Sequence, residues 1–551
     1  MTIFSFSPFG YEGTLVTVEV DLRRGIPAID IVGLADNAVK ESRERMRSAV
    51  RNSGFDFPLE RVLISLSPAD LKKEGAGFDL PLALAVIAES KKNDGKIIFD
   101  DEPVLVMGEL ELSGTIRPVR AVHTAASTAV QAGITKCIVP VANAAEAREV
   151  AGMKVFGAQN LIEAFAGLTK PELFVGMDNN NEDYFIPEGS IEINGVLFPP
   201  MDRSMEFGDI CNQRKLVRAL HIAAAGGHNV LAYGPPGCGK TLAMSRFPAL
   251  LPLLTVEEAQ SCTRIHSLAG LLSPNEPLMR TPPFRSPHQT ASLEGICGGG
   301  IHCRPGEISL AHNGVLFLDE AAEFRTSVLQ MLRVPIESGS VTLSRAGRTT
   351  IYPAQFQLLM AANPCPCGNF GSENKLCLCS MKSVEQYWRK FSGPLLDRVD
   401  IRVNVSECDE KQFIFKSDSQ HPCERCCEQE NCSECEKIFE ENFAGEGEMT
   451  TMELRKGVAN AVSIQRKRQG KKNARLTPEE ILTFCALEKA EQDVLDCAVR
   501  TEDFSQRAIS SILKVARTIA DMEKSGTIQA NHLTEAISFR KNGGIVGFLG
   551  E

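Results

Sequence analysis

The segment Gly234-Pro235-Pro236-Gly237-Cys238-Gly239-Lys240-Thr241 sets glycines at constrained positions beside a lysine and a threonine. Glycines let successive backbone N–H groups curl around a chain of phosphates, and this spacing is the Walker A pattern. It follows an apolar strand, Val230–Tyr233, and leads into a helix-like run whose N-terminus favours negative charge. Lys240 is expected to reach the β- and γ-phosphates of ATP, and Thr241 to hold Mg²⁺ through its hydroxyl. Further on, Val315-Leu316-Phe317-Leu318 is an apolar strand running into Asp319 and Glu320. Asp319 suits a water-mediated metal contact, and Glu320 suits polarisation of the attacking water. A phosphate-loop match alone can arise by chance, and two acids after a strand can be plain surface charge. Their occurrence together, in this order, favours ATP hydrolysis.

Three more residues extend the set. Phe356–Ala362 is an apolar strand ending at Asn363, placed to orient the lytic water. Arg398, in Gly393-Pro394-Leu395-Leu396-Asp397-Arg398, can supply positive charge to the transition state, a part often played by a neighbouring subunit. Arg507 follows the helix-start residue Ser505 and is expected to contact the γ-phosphate from a helical lid. Each arginine taken alone can also be a surface salt bridge.

The chain has 18 cysteines. In a reducing compartment, clustered ones point to metal rather than to disulfides. Cys365, Cys367, Cys377 and Cys379 bring four thiols together through a short loop, which suits tetrahedral Zn²⁺, although their one-residue gaps depart from the usual two. Cys423, Cys426, Cys432 and Cys435, with Cys427 and His421 beside them, lie in an acidic, core-poor segment that a metal would help to fold. The alternative for both clusters is reduced thiols in a loop. If zinc is held, four sulfurs leave no open coordination position, so its role is structural.

These residues need scaffolds. A chain of 551 residues with 43% hydrophobic content can bury several cores. The net charge of −11 excludes a uniformly basic surface but not a positive channel. No stretch approaches the roughly 20 apolar residues of a spanning helix, and the first residues lack a basic start and a cleavage site, so a cytoplasmic protein without membrane contact is expected. Residues 1–170 alternate strand-like segments (Leu15–Val20, Val62–Leu66, Val104–Met107, Ile138–Val141) with helix-like ones (Lys40–Val50, Leu80–Ala88, Val122–Ala132). Residues 171–200 are polar and turn-rich and are expected to be a linker. Residues 201–405 form a second α/β unit with the motifs, 406–450 a cysteine-rich insert, and 451–541 a helical domain with starts at Thr477-Pro478-Glu479-Glu480 and Ser505. The expected class is multidomain α/β.

Across essentially its full length the chain resembles the ComM/YifB family of magnesium-chelatase-like AAA+ ATPases. Besides the two phosphate motifs, the resemblance rests on Pro283-Phe284-Arg285-Ser286-Pro287-His288, Arg304-Pro305-Gly306-Glu307-Ile308-Ser309-Leu310-Ala311, Asn363-Pro364-Cys365-Pro366-Cys367-Gly368 and Arg517-Thr518-Ile519-Ala520-Asp521. It implies an AAA+ P-loop core with hairpin inserts, a C-terminal helical lid and a homo-oligomeric, hexameric ring with hairpins facing the pore. It also implies DNA as partner, with helicase activity driving branch migration as incoming single strands are integrated. Candidate hairpins are Phe284 to Cys303, with Arg285 and His288, and Val341 to Tyr352, with Arg345 and Arg348. Such arginines either grip phosphates without reading bases or are solvated hairpin charges. The most basic run, with Arg466, Lys467, Arg468, Lys471 and Lys472, is likewise a phosphate-binding candidate or a solvated loop.

The first domain resembles the proteolytic domain of Lon proteases. By that resemblance the nucleophilic serine position falls on Gly77 and the lysine position on His123. Glycine offers no nucleophile, so no peptidase activity is expected. A chelatase-type motor subunit and a protein-remodelling ATPase are the alternatives to a DNA motor. The Lon-like domain, absent from chelatase motor subunits, disfavours the first.

Overall fold

The structure is a computed structural model. It describes residues 2–540 apart from 35, 70, 72, 74, 94–98, 100–101, 177–184, 211–212, 274–275, 301–302, 346–347, 371–374, 406–448 and 503. The cysteines at 423, 426, 432 and 435 therefore lie outside the described residues.

The first unit is built on an eight-stranded mixed sheet. Its spatial order is Val175–Gly176, Lys154–Ala158, Lys136–Pro140, Val104–Val106, Ile3–Ser7, Thr14–Arg23, Arg61–Ser67, Ile29–Val32. Alternation sets its faces: in Arg61–Ser67, Val62, Ile64 and Leu66 are buried while their neighbours are more exposed. Helices Asn37–Asn52 and Asp79–Asn93 add Val39, Met46, Val50, Leu82 and Val86 to that core. Each strand and helix expected before residue 150 is present. The opening strand Ile3–Ser7 was missed, because buried Ser5 and Ser7 disguise its apolar pattern. Residues 171–200, expected as a linker, include a hairpin of Ile191–Ile193 and Val196–Phe198, whose Val196 and Phe198 are buried.

The second unit holds a five-stranded parallel sheet in the order Phe284–Arg285, Val315–Leu318, Gln357–Ala362, Val230–Tyr233, Ile401–Asn404. The three central strands are buried at every position, as covered parallel strands must be, so they read as unbroken apolar runs. Helix Arg214–Gly226 shares one core with the C-terminal helices Thr451–Gln469, Gln506–Met522 and Ala530–Ser538. Capping boxes start the helices at Thr450 with Glu453 and at Thr477 with Glu480, and Ser505 accepts from the Ala508 N–H. No helix among the described residues is long and apolar enough to cross a membrane.

The two units meet along a polar seam. The Tyr11 N–H donates to Thr350 Oγ1 at 3.1 Å, and the Tyr11 ring lies under the Arg264 guanidinium at 4.5 Å. The Ala121 N–H donates to the Ser267 carbonyl, and Ser267 Oγ donates to buried Glu146.

Candidate nucleotide site and its opposite edge

Three strands deliver the chemistry to one edge of the parallel sheet. Register pairs Tyr233 with Ala362 and Leu318 with Met360, so Gly234, Asn363 and the Asp319-Glu320 pair all leave from the carboxyl ends of neighbouring strands. Gly234 is obligatory: an added Cβ would stand 2.1 Å from the Val405 carbonyl oxygen. Gly237 and Gly239 turn with φ of 84° and 82°, which side-chain-bearing residues rarely adopt. The loop then enters the short helix Lys240–Ser245.

Lys240 is buried, and its ammonium donates to the Gly234 and Pro235 carbonyls, each at 2.7 Å, so it lies inside the loop it must serve. The Cys238 thiol donates to the Pro235 carbonyl at 3.0 Å and firms the same turn. Thr241 Oγ1 donates to Asp319 Oδ1 at 3.1 Å, which brings both expected Mg²⁺ contacts together. Glu320 is exposed and left-handed, with φ 48° and ψ 47°. A glutamate held there stores roughly 1–3 kcal/mol of backbone strain, as residues that must present a side chain often do. Asn363 follows the central strand, between the phosphate loop and the acids.

The arginines lie elsewhere. The Asp400 and Ile401 N–H groups donate to the Asn229 carbonyl, and Asn229 Nδ2 donates to the Arg398 carbonyl at 3.0 Å, so Arg398 sits at the amino ends of the strands. Ser511, one turn beyond Arg507 on the same helix, donates to Asp400 at 2.5 Å and fixes Arg507 at that edge too. Both guanidinium groups converge on Glu337: Arg398 pairs with one oxygen and Arg507 with the other at 2.7 Å. The Arg398 hydrogen bond, against the opposing effect of burial and with the help of Arg507, holds the Glu337 carboxyl below its ordinary range. A cleft of about 660 Å³ opens here, lined by Glu337, Arg398, Lys472, Arg475, Arg507 and Lys514 among others. Arg507, expected to contact a γ-phosphate from the helical lid, thus lies at the opposite edge of the sheet from Lys240 and Glu320 of the same chain. A four-residue strand at about 3.3 Å per residue separates the two edges, roughly 13 Å before any loop is counted.

A family model described as magnesium chelatase, subunit ChlI, matches residues 206–413. One described as subunit ChlI of Mg-chelatase matches residues 18–143, and the ChlI C-terminal model matches 448–540. The uncharacterized protein YifB of Salmonella typhimurium is 37% identical over 96% of this chain and 95% of its own length. Competence protein ComM of Haemophilus influenzae is 36% identical over 98% and 97%. The chain belongs to the ComM/YifB family. A magnesium-chelatase 38 kDa subunit from Acidiphilium rubrum is 28% identical over only 29% of this chain, so the full-length likeness is to ComM/YifB proteins. The parallel-sheet core and C-terminal helices fit the magnesium-chelatase-like AAA+ fold of this family. Membership implies ATP and Mg²⁺, and the donors fit them: an ammonium inside a glycine loop, and a threonine hydroxyl in contact with a carboxylate.

Several of the residues considered for DNA are otherwise engaged. Arg285 is not on a hairpin; it lies in the sheet's edge strand and forms a two-bonded pair with Glu307 at 2.6 and 2.8 Å. His288 is exposed and bonds Thr290. The hairpin of this region is smaller, Gly298–Gly299 against Arg304–Pro305. The second hairpin is present, Ser340–Arg345 against Arg348–Pro353, with Arg345 paired to Arg348 at its tip. The basic run is corrected: residues 466–469 end a helix and are not a solvated loop. Arg466 donates to the Leu253 carbonyl, Arg468 pairs with buried Asp521, and Lys471 pairs with Glu480. Burial pushes Lys472 down to about 8. Of this run's five basic residues, only Lys467 is exposed.

Sequence reasoning missed Glu337, which no motif marks and which only the fold brings beside both arginines. In the first unit, His123 is buried and neither ring nitrogen has a hydrogen-bond partner among the described residues. Burial first, then Arg264, lowers it to about 4.

Proposed function

We propose that this ComM/YifB-family chain is an ATP-hydrolysing motor that works as a homo-oligomeric ring, six-membered as the family resemblance implies, and acts on DNA in the manner of a branch-migration helicase. One observation carries the ring. Lys240, Thr241, Asp319 and Glu320 occupy one edge of the parallel sheet, and Arg398 with Arg507 occupy the other, so a site with both halves needs two copies in head-to-tail contact. In this reading, Lys240 and the loop amides hold the phosphates, Glu320 and Asn363 position the water, and the neighbour's Arg398 and Arg507 neutralise the charge that develops on the γ-phosphate.

DNA as substrate is supported by the full-length relative named a competence protein. The Ser340–Pro353 hairpin sets Arg345 opposite Arg348 in register, a residue type suited to a phosphate backbone without base reading. The first domain, read as Lon-like without a serine at Gly77, performs assembly or partner binding rather than proteolysis. Zinc in the four-cysteine cluster completes the cofactors.

The test is ATP turnover against protein concentration with no DNA, single-stranded DNA and a branched junction, using Glu320→Gln as blank. Turnover rising with concentration and with DNA is expected. An ATPase that forms rings and ignores DNA, but answers to an unfolded polypeptide, would replace the DNA reading with protein remodelling.

A further inference from the structure

The four thiols of Cys365, Cys367, Cys377 and Cys379 converge beside the phosphate loop. Four sulfurs around Zn²⁺ at about 2.3 Å stand about 3.8 Å apart. Here Cys365 to Cys367 is 3.3 Å, Cys365 to Cys377 3.7 Å and Cys367 to Cys377 3.6 Å, and all four sulfurs fall within 4.8 Å of one another. These separations exceed the roughly 2.0 Å of a sulfur–sulfur bond. Cys365 is fully buried, and the Phe370 N–H donates to its sulfur at 3.4 Å, the kind of backbone bond that steadies a metal thiolate.

The position of this cluster matters more than its presence. Cys365 comes two residues after Asn363, at the end of the central strand. The Trp388 indole donates to the Pro364 carbonyl at 3.0 Å, and its ring meets Tyr233, the last residue before the phosphate loop, edge to face at 5.6 Å. Gly368, between the two cysteine pairs, is so close to the loop that an added Cβ would stand 2.8 Å from Pro236 Cδ. The Gly234 N–H donates to the Ala362 carbonyl. One short segment therefore touches the water-positioning asparagine at one end and the outer wall of the phosphate loop in its middle.

We propose that the Cys365–Cys379 segment holds one Zn²⁺ and that this ion is a brace of the nucleotide site, fixing Asn363 and the Pro235-Pro236 wall in the hydrolysing geometry. The proposal rests on the reading that this loop hydrolyses ATP. Without the ion, the two cysteine pairs lose the bond that joins them, and the asparagine loses the end that this junction fixes.

The experiment compares the full-length wild-type chain with Cys367→Ser/Cys379→Ser. Metal content is read by plasma mass spectrometry, and a second preparation of each is grown in cobalt. The variant should hold one zinc fewer per chain than wild type, a difference that cancels any metal bound elsewhere. Cobalt-grown wild type should show the intense visible bands of a tetrahedral thiolate centre, and the variant should show those bands weakened by one centre per chain. ATP turnover should fall about tenfold or more, as when support around a metal is removed. Equal zinc in the two proteins, or cobalt-grown wild type without thiolate bands, overturns the site even if the variant precipitates. One zinc lost with turnover unchanged overturns the brace. A wild-type chain with no ATPase activity at all would refute the parent reading, and metal content would still decide the site.

Discussion

Arg507→Ala separates two ways of building the nucleotide site. The substitution removes an ion pair to Glu337 in which both partners are about half exposed, so it should cost less than about 1 kcal/mol of stability. If Arg507 binds a phosphate oxygen during turnover, losing that charge-assisted bond removes about 1.5–3 kcal/mol, or about 10- to 150-fold in rate. Its place at the amino ends of the strands, where Ser511 ties its helix to Asp400, supports the proposal that the phosphate belongs to another copy. Mixing then becomes decisive. In an equal mixture of Arg507→Ala and Glu320→Gln chains, an interface works only when an intact Glu320 meets intact arginines from the other kind of chain. Random assembly gives that pairing at about one interface in four, so about a quarter of wild-type turnover should return. The assay is phosphate release after nucleotide-free mixing, with subunit exchange followed by mass photometry or native mass spectrometry. No recovery in rings shown to be mixed would return Arg507 to its own chain's nucleotide and refute the two-edge argument.

Further outcomes follow from the same contacts. Glu320→Gln should bind ATP and fail to hydrolyse it, seen as retained nucleotide after gel filtration, and ATP so held should stabilise the fold by mass action. Glu337→Gln should free Arg398 and Arg507 at a stability cost under about 1 kcal/mol, because Glu337 is more than half exposed. Turnover at sub-saturating protein concentration should then rise up to about fivefold, and a fall would show that Glu337 orients the arginines instead. His123, His221 and His312 are pulled to about 4, chiefly by burial, so the unfolded chain takes up protons more readily than the folded one. Stability is therefore full above the unfolded value near 6.5 and is lost as pH falls towards 4, by at most about 3 kcal/mol per histidine. Urea midpoints at pH 7 and 5 should differ, and His123→Leu should shrink the difference; an unchanged slope would exclude His123 as a contributor.

The nucleotide edge was legible because it is local. A glycine loop after an apolar strand, and two acids ending another, are adjacent in sequence, and a parallel sheet brings such strand ends together. The cysteine pairs were legible for the same reason, since a short loop closes them. The edge at which Arg507 sits was not, because it is set by Ser511 reaching Asp400, 111 residues away. The basic run misled because sequence shows charge but not direction. Arg468 points to Asp521, which is 53 residues away and fully buried, and Lys472 is desolvated against Glu258. Glu337 carries no motif at all, and only the fold makes it the joint partner of two arginines.

If Arg398 and Arg507 serve a neighbour's nucleotide, as proposed, the chain carries a socket on one edge and a plug on the other and cannot satisfy itself. In any open string of copies, the first has an idle plug and the last an unserved socket, so a string of three runs two sites and a string of two runs one. Only closure puts every copy to use. On that proposal, specific activity per chain gauges how many assemblies are closed, and opening a ring silences one of its sites for as long as the gap lasts.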